Sequence, residues 1–310
     1  MTTPVETLTR INLTDMLDNF GLGRLRLGRG VLEHLCRAPA RVLAEQAIRF
    51  DRCVGEAGLQ AAARQWLSAH VNRLEVVGAH HIPVSGGVIL AANHPGLTDT
   101  LAVLSTVPRA DLRLVSADRP FVRALENIAQ RTFFVSDRPG ERLAVIRQVT
   151  RYLQQGGAVL ICPAGRIEPD PAVMPGAVES LQTWSESLDL FVRLAPQSVI
   201  APTVVSGVVY GPALHHPLTR LCRSERDRER IAATLQAWWQ STGRITRHIN
   251  VQIEFGKPLS ALELNARGAA GGAVAVTQEI TRAVQYLLEK PAFEETSQRP
   301  EHAYRLMDTI

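Results

Sequence analysis

From residue 73 onward, apolar runs too short to be helices alternate with stretches of helical periodicity. Leu74–Val77, Val88–Ala92, Leu112–Ser116, Thr132–Val135, Ala158–Ile161, Val199–Val205 and Val251–Phe255 read as strands, separated by turn residues such as Pro83, Gly86 and Gly87. Between them, Glu141–Gln155 places Leu143, Ile146, Val149 and Leu153 on one helical face and stops at Gly156 and Gly157. Val178–Leu188, Arg226–Trp239 and Val274–Leu288 read as further helices. Strands alternating with helices build an α/β domain, here a central mostly parallel or mixed sheet flanked by helices. The 310 residues suffice for one large domain of this kind with a smaller appended unit.

That unit is an N-terminal helical segment, residues 1–72. Leu13, Met16, Leu17 and Phe20 recur at helical spacing, with Thr14 or Asp15 as the expected cap. Gly21, Gly23, Gly28 and Gly30 then interrupt the pattern, mixed with Arg24, Arg26 and Arg29. Helical patterning resumes from Leu32 to Ile48 and again from Leu59 to Val71. Two readings stand: a helical bundle packed on the main domain, or an amphipathic basic element at a membrane surface. The main domain is expected over 73–290, followed by a polar tail over 291–310.

The stretch from Leu194 to Leu214 has no acid, lysine or arginine, yet Pro196, Pro202 and Pro212 break any helix there, and its Val/Ile content favours buried strand. No membrane-spanning helix is expected, and the first residues lack the order of a signal peptide. The four cysteines include no C-x-x-C pair, which argues against a disulfide framework or zinc site and for a reducing cytoplasm. Adjacent histidines, His80-His81 and His215-His216, face opposite ways on a strand and make poor metal ligands. The net charge of +4 comes almost wholly from arginine, but without an Arg-rich block and with 5% aromatic residues it does not point to nucleic acid.

The chemistry concentrates where the strand Val88–Ala92 runs into Asn93-His94-Pro95-Gly96-Leu97-Thr98-Asp99. A buried strand delivers His94 to its carboxyl end, where ligand sites of α/β sheets gather. Pro95 and Gly96 turn the chain, and Thr98 or Asp99 is expected to open the next helix. Such a turn lets Asp99 hold the imidazole Nδ1–H and leaves Nε2 free as a general base. The bland alternative is a capping aspartate beside a loop histidine.

With Leu74-Glu75-Val76-Val77-Gly78-Ala79, Ile82-Pro83 and Gly87-Val88-Ile89-Leu90-Ala91-Ala92 ahead of it, this run resembles the first motif of the glycerolipid acyltransferase family, the lysophosphatidate and glycerol-3-phosphate acyltransferase superfamily. Phe133-Phe134-Val135-Ser136-Asp137-Arg138 is similar to the family's second block, Leu160-Ile161-Cys162-Pro163-Ala164-Gly165-Arg166 to its third, and Val199-Ile200-Ala201-Pro202-Thr203-Val204-Val205 to its fourth. Val251-Gln252-Ile253-Glu254-Phe255-Gly256-Lys257-Pro258-Leu259 is similar to the strand and turn that close the catalytic domain. The resemblance covers about residues 73–290. In the third block, Ala164 stands where the family has glutamate and Cys162 where it has phenylalanine.

The resemblance implies a fold, a reaction and a site. His94 would deprotonate the acceptor hydroxyl, Asp99 would orient it, and the attack would fall directly on the thioester of acyl-CoA or acyl-carrier protein. Arg138 is implied as ligand of the acceptor's phosphate, a role suited to a guanidinium at a strand end; otherwise it forms a surface ion pair with Asp137 or Glu141. Arg166 is a second phosphate candidate, the Gly165 N–H a candidate oxyanion donor, and Pro202 a candidate wall of the acyl pocket or simply part of a buried strand with an edge proline. Glu168 could stand in for the missing glutamate, and Cys162 is a less suitable nucleophile. The implied enzyme needs no metal or bound cofactor. Its acceptor would be a glycerol-phosphate or lysophospholipid, which places it at the membrane's inner face as a peripheral protein. Alternatives are an N-acyltransferase making an amino-acid lipid, and a non-catalytic lipid-binding protein with the same fold.

Overall fold

The computed structural model describes residues 3–22, 29–136, 138–220, 222, 224–271 and 273–290. The expected polar tail, Asp137 and the arginines at 24 and 26 lie outside them, as does the side chain of Arg29. The chain runs through α1 (Pro4–Asn19), α2 (Arg29–His70), β1 (Val71–Val77), β2 (Val88–Ala92), α3 (Leu97–Thr106), β3 (Arg113–Ala117), α4 (Pro120–Arg123), α5 (Glu126–Ala129) and β4 (Thr132–Val135). Then come α6 (Pro139–Gln154), β5 (Ala158–Ile161), α7 (Ala177–Ser180), α8 (Ser187–Leu194), β6 (Val199–Ser206), α9 (Gly211–Leu214) and α10 (Pro217–Arg220). The last elements are α11 (Glu225–Ser241), β7 (Ile249–Phe255), β8 (Leu259–Ser260), α12 (Ala261–Gly271) and α13 (Ala273–Glu289).

The strands form one mixed sheet in the order β1-β7-β6-β2-β5-β3-β4, with β8 paired to β6. Five neighbours, β6, β2, β5, β3 and β4, are parallel, while β7 and β8 run antiparallel to β6 and β1 runs parallel to β7. Every residue of β2 and β5 is buried, because both faces of the central strands are covered. Along β2 the side chains divide: Val88, Leu90 and Ala92 enter one core layer, with Leu67, Val103 and Leu104, and Ile89 and Ala91 enter the other, with Leu153, Leu188 and Ile280. The molecule is thus three-layered, and β2 lies at its centre.

Pro202 sits in β6, an interior strand and not the edge strand expected for a proline. Its place is still physically apt. Ile200 pairs with Leu259 of β8 and Thr203 with Phe255 of β7, so Pro202 occupies the point where β6 changes partners and a ladder N–H is not required.

α1 begins earlier than its apolar pattern suggested. Thr3 caps it by accepting the Glu6 N–H at 3.3 Å, with Pro4 at the first turn, so Thr14 and Asp15 are interior. Leu8, Met16 and Leu17 are buried, and Asn12 Nδ2 donates to the Ala40 carbonyl at 3.1 Å, fixing α1 on α2. The two helical stretches expected within 32–71 are halves of α2, broken at Gly58, whose φ of 87° and ψ of 168° no helix contains. The helix expected over 178–188 is instead α7, a 3₁₀ turn at Leu181–Thr183 and then α8, since Ser180 and Trp184 both turn inward onto one buried carboxylate. In α6 the apolar face is narrower than expected: Leu143 is exposed, Val149 and Leu153 buried.

Candidate active site

β2 ends in Asn93, whose side chain makes two backbone bonds to β6: Nδ2 donates to Val205 O at 2.9 Å, and Oδ1 accepts Val205 N–H at 2.7 Å. Asn93 therefore carries the strand's pairing one residue beyond its end. His94 follows with the chain already fixed on that side. The turn through Pro95 leads to Gly96, the actual cap of α3, and Asp99 sits at the third helical position.

Asp99 is 1% exposed, and both its oxygens are used. Oδ2 accepts from His94 Nδ1 at 2.8 Å and from the Gly96 N–H at 3.0 Å, while Oδ1 accepts from the N–H of Thr100 and from its hydroxyl. The carboxylate thus caps α3 and orients the imidazole at once. Because Asp99 can only accept, Nδ1 carries the hydrogen and Nε2 presents its lone pair when the ring is neutral. The His94 side chain is 28% exposed, and Nε2 has no hydrogen-bond partner among the described residues. The Asp99 charge, reinforced by that of Glu168, holds the His94 pKa above histidine's ordinary value against the opposing effect of burial. Behind Asp99 lies a narrow void lined by Asn93, Thr100, Val103, Cys162 and Val205, with no room for a water molecule.

The other side of His94 is held by the loop after β5. Glu168 is 1% exposed; its Oε2 accepts the His94 N–H at 3.0 Å, and its own N–H donates to the His94 carbonyl at 2.8 Å. Oε1 accepts from Ser180 Oγ at 3.0 Å and Trp184 Nε1 at 2.9 Å. The Glu168 carboxylate, expected as a possible stand-in for the glutamate absent at Ala164, is thus engaged by donors inside the protein. Two residues on, Asp170 is fully buried and accepts from the N–H groups of Gly207 and Val209, each at 2.8 Å, tying the same loop to the end of β6. Gly207 turns there with φ of 74°, where a Cβ would meet the Asn250 carbonyl at 2.0 Å.

The remaining residues singled out from sequence separate into near and far. Arg166 lies on the β5–Glu168 loop, exposed, with no ion-pair partner among the described residues. Gly165 is on the same loop with φ of 62°, but its N–H donates to the Cys162 carbonyl at 3.0 Å, so the turn itself consumes the expected oxyanion donor. The Cys162 thiol is pushed well above its ordinary range by burial and by the nearby Asp99 and Glu168 charges, which disfavours the thiolate a nucleophile needs. Pro202 is buried, its carbonyl accepting the Gly256 N–H at 2.8 Å, and it lines neither the void behind Asp99 nor the cavity at the β4 edge.

Arg138 is on the far side. It follows β4, three strands from β2, which is about 14 Å at the usual strand spacing. Its side chain is 83% exposed and pairs with Glu141 at 3.1 Å, the surface ion pair that was the alternative to a phosphate ligand. A cavity of about 610 Å³ also opens at this edge, lined by Asp118, Arg123, Phe134, Ser136 and Glu141 among others, and not at His94.

Sequence reasoning missed Asp170 and Arg109. Arg109, 6% exposed, clamps the opposite end of the sheet: it bonds the carbonyls of Pro83, Gly86 and Gly156 and pairs with both oxygens of Asp111. Both residues act on backbone atoms distant in the chain, for which the sequence carries no pattern.

Residues 73–206 match the family model described as Acyltransferase. Among solved structures, the crystal structure of the 1-acyl-sn-glycerophosphate (LPA) acyltransferase PlsC from Thermotoga maritima is similar at 16% sequence identity and a TM-score of 0.43, over 93% of this chain and 96% of that chain. No curated protein matches this chain.

Proposed function

We propose, from the premise that residues 73–206 are a domain of the acyltransferase family, that this chain moves a fatty acyl group from acyl-CoA or acyl-carrier protein onto the hydroxyl of a glycerol-phosphate or lysophospholipid acceptor. The observation that carries the reading is the bond from His94 Nδ1 to the buried Asp99 carboxylate at 2.8 Å, beside an unpartnered Nε2 at a partly open ring. Nε2 takes the acceptor's proton as its oxygen attacks the thioester carbonyl, and Asp99 steadies the imidazolium. The C–O bond forms, the C–S bond breaks, and the proton passes from His94 to the departing thiolate. Direct transfer asks for no metal or bound cofactor.

Arg166 is the phosphate ligand this reading favours, because Glu168 joins its loop to the His94 backbone. Arg138 would have to leave Glu141 and reach across the strand ends, so its share in acceptor binding is smaller. An acceptor without phosphate, as in an N-acyltransferase, is the second reading, and the distance of Arg138 from the dyad favours it. A lysophospholipid acceptor and the acylated product carry long apolar chains and partition to a bilayer surface. The protein would act as a peripheral enzyme at the inner membrane face, and among the described residues no helix is long and apolar enough to cross a membrane.

The test is turnover of acyl-CoA with a panel of glycerol-phosphate, lysophospholipid and amino-acid acceptors, read as thiol release and acyl product. A phosphate-bearing acceptor should be acylated by the wild type and not by His94→Ala. Equal thiol release from both proteins with every acceptor would end the reading.

A further inference from the structure

We propose that Glu168 is a positioning residue for the general base: its buried carboxylate fixes the backbone of His94 and contributes charge to the imidazole. This deepens the acyl-transfer reading and rests on it for its kinetic part. His94 is bonded by Glu168 through both of its backbone polar groups, at 3.0 and 2.8 Å. With Asn93 locked to β6, the end of β2 is held from both neighbouring directions, and Asp99 fixes the ring. Only rotation of the His94 side chain remains, and the Asp99 bond arrests it.

The residue type is chemically required. Glu168 receives three donors, from the His94 N–H, Ser180 and Trp184, in a site where burial disfavours its charge. A glutamine has one acceptor oxygen and would turn an NH₂ group towards either the His94 N–H or the Trp184 N–H. Carboxylate burial at this cost is understandable where every partner needs an acceptor. The same residue anchors the loop that exposes Gly165 and Arg166, so the base and the phosphate-binding candidate share one support. The charged groups facing His94 are Asp99 and Glu168.

Protein labelled with ¹⁵N-histidine reports the backbone amide and the ring of His94 without reference to turnover. In the wild type, the His94 amide should be strongly protected from exchange, and the ring should titrate above histidine's ordinary value. Glu168→Gln removes a negative charge near the ring, so that titration should move down, and the acid limb of kcat/KM should move down with it. Displacement of a reacting group by a fraction of an ångström to one ångström should lower kcat by about 10–100-fold, while the KM for acyl-CoA stays near wild type. A folded Glu168→Gln protein with wild-type kcat, or with unchanged His94 titration, would overturn the proposal. If that variant does not fold, a freely exchanging His94 amide in the wild type overturns it equally. Absence of acyl transfer by the wild type would defeat the functional reading, while the two NMR readouts would still decide the role of Glu168.

Discussion

The two ends of the parallel strands are closed by groups of opposite charge. At the carboxyl ends, Asp99, Glu168 and Asp170 accept backbone N–H groups from the α3 cap, His94, Gly207 and Val209. At the amino ends, Arg109 donates to the carbonyls of Pro83, Gly86 and Gly156. The polarity of the backbone explains the choice. Helix N-termini leave N–H groups without partners and helix C-termini leave carbonyls, and in this sheet β2 exits into the N-terminus of α3 while β5 is entered from the C-terminus of α6. The difference has a chemical consequence. Two of the anionic clamps, Asp99 and Glu168, make His94 more basic, whereas the cationic clamp makes its own partner, Asp111, more acidic, at the end of the sheet away from His94.

The sharpest division is between activity and stability. His94→Ala should lower acyl transfer by about 10²–10⁴ in rate with folding intact, since in the proposed mechanism it removes the general base. Asp99→Asn should fall in the same range. An asparagine offers one acceptor oxygen, cannot hold both the Nδ1–H and the Thr100 donors, and does not stabilise an imidazolium. Rate measured per folded molecule, with thermal unfolding as control, checks both. An Arg109→Ala protein with an equal loss per folded molecule would break the contrast.

Arg109→Ala should instead destabilise by about 3 kcal/mol, because it strands buried carbonyls and leaves Asp111 without its partner. Denaturant unfolding measures it. Arg109 also lowers the Asp111 pKa, first through their hydrogen bond. A carboxylate with a depressed folded pKa contributes stability above the ordinary carboxylate value and loses it as pH falls through the lowered one. The difference in stability between wild type and Arg109→Ala should therefore narrow in acid.

The pH dependence of the rate sharpens the comparison further. In the proposed mechanism His94 acts only when neutral, and its pKa is raised, above all by Asp99. The rate should rise with pH through a limb above histidine's ordinary value, and Arg109→Ala should leave that limb in place. The smallest effect is expected at the sheet edge. Arg138→Ala breaks an exposed pair worth about 0–1 kcal/mol and should change the acceptor KM less than Arg166→Ala does.

What could be read from sequence follows from the range of the interactions. β2, β4 and β5 were legible to the residue because each is a continuous apolar run with turn residues at its ends. β1 and β7 start earlier than their apolar runs, at Val71 and Ile249: the polar Arg73 pairs with Asn250 in the ladder, while Asn72 is skipped by a shift of register and its Nδ2 donates to Asn250 Oδ1 at 2.8 Å. Only the partner strand creates that extension, and it lies far along the chain. The dyad was legible because His94 and Asp99 are joined by one short turn. The clamps were not, since Glu168, Asp170 and Arg109 bind main-chain atoms that carry no residue identity. Arg138 drew its role from resemblance alone, and the edge position of β4 has to be known before its distance from β2 can be judged.

The place of β1 in the sheet has an implication for synthesis. Its strand partner among the described residues is β7, which begins at Ile249, so the first strand made waits for one of the last. At roughly 5–20 residues per second, translation from β1 to the end of β7 takes about 10–35 s. Throughout that interval the nascent chain carries an unpaired strand joined to a long apolar-faced helix. The parallel block from β2 to β6 can assemble first, but the ribosome must release the chain through β7 before β1 finds its partner.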